Sequence, residues 1–228
     1  MMFIRALFAP TGTQLDPVFS KAPMNTTSLP AIPILLRLWT ACLLLALATS
    51  AYAQATKPSA LPEVKRTTAG LYVEAKEVPT FIEQQGGSMK VLFIDVRTRA
   101  EAMFVGMTNS VDALAPFVEL QELMIEWDGQ RSAYKLEPMQ EFVTEVGRRL
   151  QQKSLSKTDT VVLICRSGDR SSRAANRLLE AGYSRVFTVV DGFEGDMSPD
   201  GRRSVNGWKN SGLPWGYKLE KAKMYFPR

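Results

Sequence analysis

Two uninterrupted apolar runs, Val91–Ile94 and Val161–Ile164, and a third run, Val186–Val190, punctuate the chain. Their length and lack of alternation predict strands buried on both faces of a parallel sheet. Helical spacing fills the gaps between them. Val78, Phe81 and Ile82 predict a helix within Ala75–Gln85, with Pro79 in its first turn and Gly86-Gly87 stopping it. Thr98 and Glu101 match a capping box opening a short helix. From Pro138 onward, Met139, Phe142, Val143, Val146 and Leu150 share one helical face, with proline at the first position. Ser171–Ala181 reads as a further helix with Gly182 as its C-cap. Leu71–Val73 and Val111–Leu114 read as shorter strands, and Trp127, Asp128-Gly129 and Tyr134 suggest a hairpin inside residues 115–137. Trp208 and Trp215 are expected to pin the tail to the body. Strands alternating with helices predict an α/β domain with a mainly parallel central sheet.

The N-terminal pattern is different. Leu38–Ala48 is apolar and uncharged, follows Arg37, and leads to Ala51-Tyr52-Ala53. A short apolar run with a basic flank and an A-x-A end reads as a secretory signal, cleaved after Ala53. It falls short of the ~20 apolar residues a spanning helix needs, so no stable membrane anchor is expected after cleavage. A lipoprotein signal at Cys42 fits poorly, because Trp39 stands where a small aliphatic residue belongs; a buried core helix is the plainer alternative. Residues 1–53 are long for a signal of about 15–30 residues, which makes Met24 the expected start. Residues 54–68, polar with two prolines, read as a linker, 69–217 as the domain and 218–228 as a tail.

Composition then narrows the chemistry. The 228 residues include no histidine and two cysteines. No Cys/His zinc site, no Ser-His-Asp or Cys-His pair and no imidazole general base can be built. No metal is expected. Formal charge is +5, and loss of residues 1–53 leaves 25 basic against 22 acidic residues, or +3. The basic residues form no continuous run, so nucleic-acid binding gains no support. Cys165 would be the one cysteine of the mature chain, and an unpaired thiol in an oxidising compartment is either buried or used.

The informative segment surrounds it: VVLICRSGDRSSRAANRLLEAG. A strand delivers Cys165 to a tight turn at Gly168, and a helix begins directly after. That geometry can aim backbone N–H groups and a helix N-terminus at one sulfur atom. Arg166, Arg170 and Arg173 gather positive charge against Asp169. A helix terminus supplies only about 0.3–1 kcal/mol to a nearby anion. Direct amide hydrogen bonds and the arginines must therefore stabilise most of a thiolate's charge.

Cys165-Arg166-Ser167-Gly168-Asp169-Arg170 resembles the C-R-x-G-x-R active loop of the rhodanese family. Ile94-Asp95-Val96-Arg97 resembles its D-V-R signature, and Glu101 with Gly106 its E-x(n)-G stretch. Gly192 and Trp208 through Gly212-Leu213-Pro214-Trp215 resemble its closing G…W…G-x-P pattern. The resemblance spans about Leu71–Trp215. It implies a three-layer α/β fold and a sulfurtransferase, which the signal pattern makes an exported one, periplasmic or secreted. Cys165 would be the nucleophile, carrying sulfur as a covalent persulfide with no cofactor. The backbone amides of residues 166–170 would cradle that persulfide. Arg166 and Arg170, with Ser167, Gly168 and Asp169 in the same loop, would form the substrate site. Arg173 would assist there, and Asp95 and Arg97 would support the loop. The donor would be a small sulfur anion such as thiosulfate, and the acceptor a thiol, cyanide or a protein.

Related phosphatases and arsenate reductases carry a loop one residue longer, with arginine six places after the cysteine; here that place holds Ser171. The family's usual G-H-I-x-G-A is replaced by Gly106-Met107-Thr108-Asn109-Ser110-Val111, without the histidine. Residues 115–137 exceed the usual connection and would either cover the Cys165 loop or pack elsewhere. These departures keep open a non-catalytic binding or sulfur-carrier role serving a periplasmic oxidation system, and a redox sensor acting through sulfenylation. Plainer readings stand beside the functional ones. Cys165 suits a core thiol, Asp95 and Arg97 a structural ion pair, Arg173 solvated charge, and Trp127, Trp208 and Trp215 packing.

Overall fold

The computed structural model describes residues 61–227, apart from Glu122 and Met124. The expected signal segment, its cleavage after Ala53, the Met24 start, Cys42 and residues 54–60 of the expected linker lie outside the described residues.

The central sheet is wholly parallel. It comprises β1 (Tyr72–Val73), β2 (Val91–Asp95), β3 (Ala113–Leu114), β8 (Thr160–Ile164) and β9 (Arg185–Val189), in the order β1-β9-β8-β2-β3. The central strands β2 and β8 are buried along their whole length, as their unbroken apolar runs require. Alternation still sorts their side chains. Val91, Phe93, Val162 and Ile164 enter one core with Val78, Ile82, Phe193 and Trp208. Leu92, Ile94, Val161 and Leu163 enter the other with Phe142, Val146, Leu150, Ala174 and Leu178. Each such buried side chain contributes about 1.5–3 kcal/mol, so the two cores fix the register of the strands between them.

The first core is closed by α1 (Val78–Gln84). The second is closed by α3 (Phe142–Gln152) and α4 (Asp169–Glu180), giving the expected mixed α/β architecture flanked by helices. A short helix, α2 (Arg99–Phe104), follows β2, with the Thr98–Glu101 capping box formed in both directions. Trp208 is fully buried and sits 5.8 Å from Phe93, while Trp215 meets Phe193 at 6.1 Å.

Two expectations are corrected. The helix after residue 138 starts at Phe142, because Leu136–Pro138 forms β7, antiparallel to β4 (Val118–Leu120). Proline lacks only a donor and is accepted at the edge of a two-stranded ribbon. Residues 61–68, read as linker, are packed on the domain: Leu61 is buried against Tyr72 and Val190, and buried Lys65 pairs with Asp196 at 2.6 Å. Ser172 Oγ also donates to the Val64 carbonyl. The tail is held likewise, with Arg149 donating to the carbonyls of Ala222 and Met224. The expected hairpin is present as β5 (Trp127–Asp128) and β6 (Ala133–Tyr134). Among the described residues, no helix is long and apolar enough to cross a membrane.

Candidate active site

A parallel sheet presents the carboxyl ends of its strands at one edge, where ligands are bound in open α/β folds. Asp95 ends β2, and Cys165 follows β8, its immediate neighbour. The two loops are tied by the Val96 amide, which donates to the Ile164 carbonyl at 2.9 Å.

Cys165 is fully buried. The Gly168 amide donates to its Sγ at 3.1 Å, and the thiol donates to Ser171 Oγ at 3.5 Å. Ser171 in turn donates to the Gly168 carbonyl at 3.0 Å. Gly168 caps α4 with φ at 101°, in the left-handed region. A Cβ there would stand 2.1 Å from the Val190 carbonyl oxygen, so only glycine allows the turn. The Arg170 amide, expected in the cradle, is instead bonded to the Asp169 carboxylate at 2.8 Å.

The arginines separate into distinct roles. Arg170 makes a two-pronged ion pair with Glu101, both contacts at 2.6 Å. Burial pulls the Arg170 guanidinium down, but Glu101 outweighs burial and raises it further above its usual range. Burial likewise favours a neutral Glu101, yet hydrogen bonds and charge from Arg170 hold its carboxyl at about 2. Arg166 is exposed and has no ion pair among the described residues. Arg173 is also exposed, its guanidinium 5.9 Å from the Phe117 ring. Ser167 and Asp169 are half-buried at the turn.

Asp95 and Arg97 are both fully buried and paired at 2.7 Å. Arg97 also donates to the Gly106 carbonyl and stacks 4.0 Å from the centre of the Phe193 ring. Burial opposes its charge, and Asp95 more than restores it, raising the guanidinium above its usual range. The Phe193 amide donates to the Cys165 carbonyl at 2.8 Å. Asp95 and Arg97 thus sit behind the nucleophile loop. At the family's histidine place, Met107 is buried and exchanges backbone hydrogen bonds with Gly216.

Three contributors escaped the sequence reading. In the sequence Ser171 stands out only as the residue at the place of a phosphatase arginine. Phe193 links Arg97 to the Cys165 carbonyl. The run 192–195 lies directly against the loop: the amides of Glu194 and Gly195 both donate to the Arg166 carbonyl. Gly192 of the closing G…W…G-x-P pattern, followed directly by Phe193, was the available signal.

Around Cys165 Sγ the loop places the Gly168 amide and the Ser171 hydroxyl, with Arg170 held nearby by Glu101. Comparisons with known proteins place the chain among similar sequences and structures. Uncharacterized proteins of Rickettsia prowazekii and Rickettsia conorii are 40% and 39% identical over 62 and 57 residues, respectively, or 27% and 25% of this chain. Those segments cover 46% and 42% of the relatives, so the chain spans less than half the length of the curated relatives it matches. A Mycobacterium tuberculosis crystal structure is 25% identical, with a TM-score of 0.48, over 64% of this chain and 97% of that one. The solution structure of a polysulfide-sulfur transferase homodimer from Wolinella succinogenes is 16% identical, with a TM-score of 0.34, over 64% and 77%. Residues 78–197, more than half the chain and including the whole Cys165 loop, match the rhodanese-like domain family. The chain therefore belongs to the rhodanese-like domain family, and membership supports a sulfurtransferase-type function in general.

Proposed function

We propose that the protein is an exported sulfurtransferase of the thiosulfate class, working through a persulfide on Cys165. The observation that carries this reading is the Gly168 amide pointed at Cys165 Sγ at 3.1 Å, at the start of α4 and beside a buried guanidinium. In the first half-reaction the thiolate attacks the outer sulfur of thiosulfate. A new S–S bond forms, the donor's S–S bond breaks, and its electron pair leaves on sulfite. A nucleophilic acceptor, such as cyanide or a thiolate, then takes the outer sulfur and restores the thiolate. No histidine takes part, so amide, hydroxyl and guanidinium groups carry the electrostatic work. Arg166, exposed and without an ion pair among the described residues, is the loop residue fitted to meet the anionic donor. Arg170, engaged with Glu101, holds the loop and adds its field.

Mass spectrometry after thiosulfate incubation should find one added sulfur atom on Cys165, removed by cyanide and missing in Cys165→Ser. No adduct with thiosulfate, mercaptopyruvate or polysulfide would overturn the reading. Full burial of Cys165 favours a second one, a sulfur-carrier or binding module whose partner opens the loop. Retained biological function in Cys165→Ser would support the binding role, whereas a sulfur carrier would lose function in that variant. Export is tested by the N-terminal peptide of natively expressed protein, which should begin at Gln54.

A further inference from the structure

The segment between Gly195 and Gly207 is an excursion that carries two adjacent arginines, Arg202 and Arg203, and the mechanism above leaves it unused. It is a braced structure. Asn206 accepts from the Asp196 amide at 2.8 Å and donates to the Asp196 carboxylate at 3.1 Å. Asn210 donates to the carbonyls of Glu194, Arg203 and Asn206, and Met197 and Arg203 form an antiparallel bridge. Asp196 is tied further to Lys65. The backbone of Arg203 is therefore held in place.

Its side chain is turned toward the nucleophile loop. Arg203 Nη1 donates to the Gly195 carbonyl at 2.6 Å, and the Gly195 amide donates to the Arg166 carbonyl at 3.2 Å. Gly192, at the head of this run, lies so close to the loop that a Cβ would stand 2.6 Å from the Arg166 carbonyl and the Ser167 amide. Two hydrogen bonds thus separate the Arg203 guanidinium from the backbone of the residue after Cys165.

Burial and the neighbouring Arg166 charge push the Arg203 guanidinium below its usual range, and Glu194, Asp169 and Asp196 oppose this in part. None of these carboxylates comes within ion-pair distance of Arg203 among the described residues. Arg203 is thus bonded to the segment that lies against the Arg166 backbone, and neither arginine is paired with a carboxylate among the described residues. Such an arrangement is favourable when an anion joins it.

We propose that Arg203 is a second anion-binding residue of the Cys165 site and that, with Arg166, it selects donors that release a multiply charged oxyanion. The inference rests on the sulfurtransferase reading and deepens it. As the donor's S–S bond breaks, negative charge gathers on the departing sulfite, and the two guanidiniums are the groups placed to receive it. A donor that leaves as a neutral or weakly charged group would gain little from them.

The test uses the full chain with Arg203→Gln, which keeps a donor for the Gly195 carbonyl but removes the charge, and Arg203→Lys, which keeps the charge. R203Q should lower kcat/KM for thiosulfate about tenfold, the scale of one lost charge-assisted hydrogen bond, while kcat/KM for cyanide, which reports only the second half-reaction, stays unchanged. R203K should recover most of the loss. A second readout needs no sulfur transfer: the rate at which anionic iodoacetate alkylates Cys165, relative to neutral iodoacetamide. That ratio should fall several-fold in R203Q and persist in R203K. Equal losses in both variants would mean that Arg203 only braces Gly195, and unchanged values in R203Q would mean that it meets no anion; either overturns the inference. If the wild-type protein forms no persulfide from thiosulfate, the sulfurtransferase reading fails instead, and the alkylation ratio still decides whether Arg203 draws anions to Cys165.

Discussion

Glu101 and Arg170 join the first turn of α2 to the nucleophile loop through two parallel contacts of 2.6 Å. The same carboxylate closes the α2 capping box on Thr98, so one side chain fixes both a helix start and the loop that follows β8. Burial alone would raise the Glu101 carboxyl, but Arg170 and Thr98 hold it at about 2. A carboxyl depressed by folding stabilises the native state above its unfolded value, and the contribution is lost as pH falls through the folded one. A depression of this size corresponds to roughly 3 kcal/mol. Glu101→Gln should therefore lose stability on that order at neutral pH in urea unfolding. The gap between wild type and variant should close as pH falls from about 4.5 toward 2. A gap independent of pH would refute this account.

Gly192 adopts φ 65°, and its missing Cβ is where the Arg166 carbonyl and Ser167 amide stand. Both neighbours are backbone atoms, so neither can swing aside. Gly192→Ala should cost about 2–4 kcal/mol through strain and displacement. Its effect on Cys165 alkylation should exceed that of Gly182→Ala, where φ is 88° but a Cβ would meet nothing within 4 Å. Both substitutions incur the left-handed backbone penalty, so the difference between them isolates the close approach.

Ser171 Oγ is 3.5 Å from Cys165 Sγ and donates to the Gly168 carbonyl. When the sulfur is a thiolate it can no longer donate, and the hydroxyl can rotate to donate a hydrogen bond to it. Ser171→Ala should slow Cys165 alkylation by about tenfold, one hydrogen bond to a charged group. Thermal stability should change little, because the residue needs no further partner. Undiminished alkylation would show that the hydroxyl serves only the turn.

What could be read from the chain beforehand follows from where each signal is stored. Strands β2 and β8 are buried on both faces, so nothing but apolar residues fits, and the runs 91–94 and 161–164 announce them. The Thr98 capping box is equally local, and it formed. Pro138 carried an ambiguous signal, since proline suits a helix start and an edge strand alike, and pairing with Val118 decided the matter. Arg170 and Glu101 lie 69 residues apart, and no local pattern reports that one will engage the other. Arg203 is further from legibility still, because its relevance depends on Gly195 being laid against Arg166.

The hairpin β5–β6 stands clear of both cores. Leu123, Ile125, Trp127 and Tyr134 are 59–97% exposed, and Trp127 and Tyr134 pack mainly on each other at 5.7 Å. Its roots matter more. Phe117 packs beside Phe142, and Glu119 pairs with Arg99 at the start of α2. Leu120 and Leu136 are directly opposed in the β4–β7 ribbon, the spacing that a two-residue turn can close. Replacing residues 121–135 with Asn-Gly should therefore leave unfolding stability within about 1 kcal/mol, since the described residues of the segment bury little apolar surface. Persulfide formation from thiosulfate should survive, because among the described residues every one bonded to the Cys165 loop lies outside the excised segment. A loss of turnover with stability intact would reverse this assignment and make residues 121–135 part of the site.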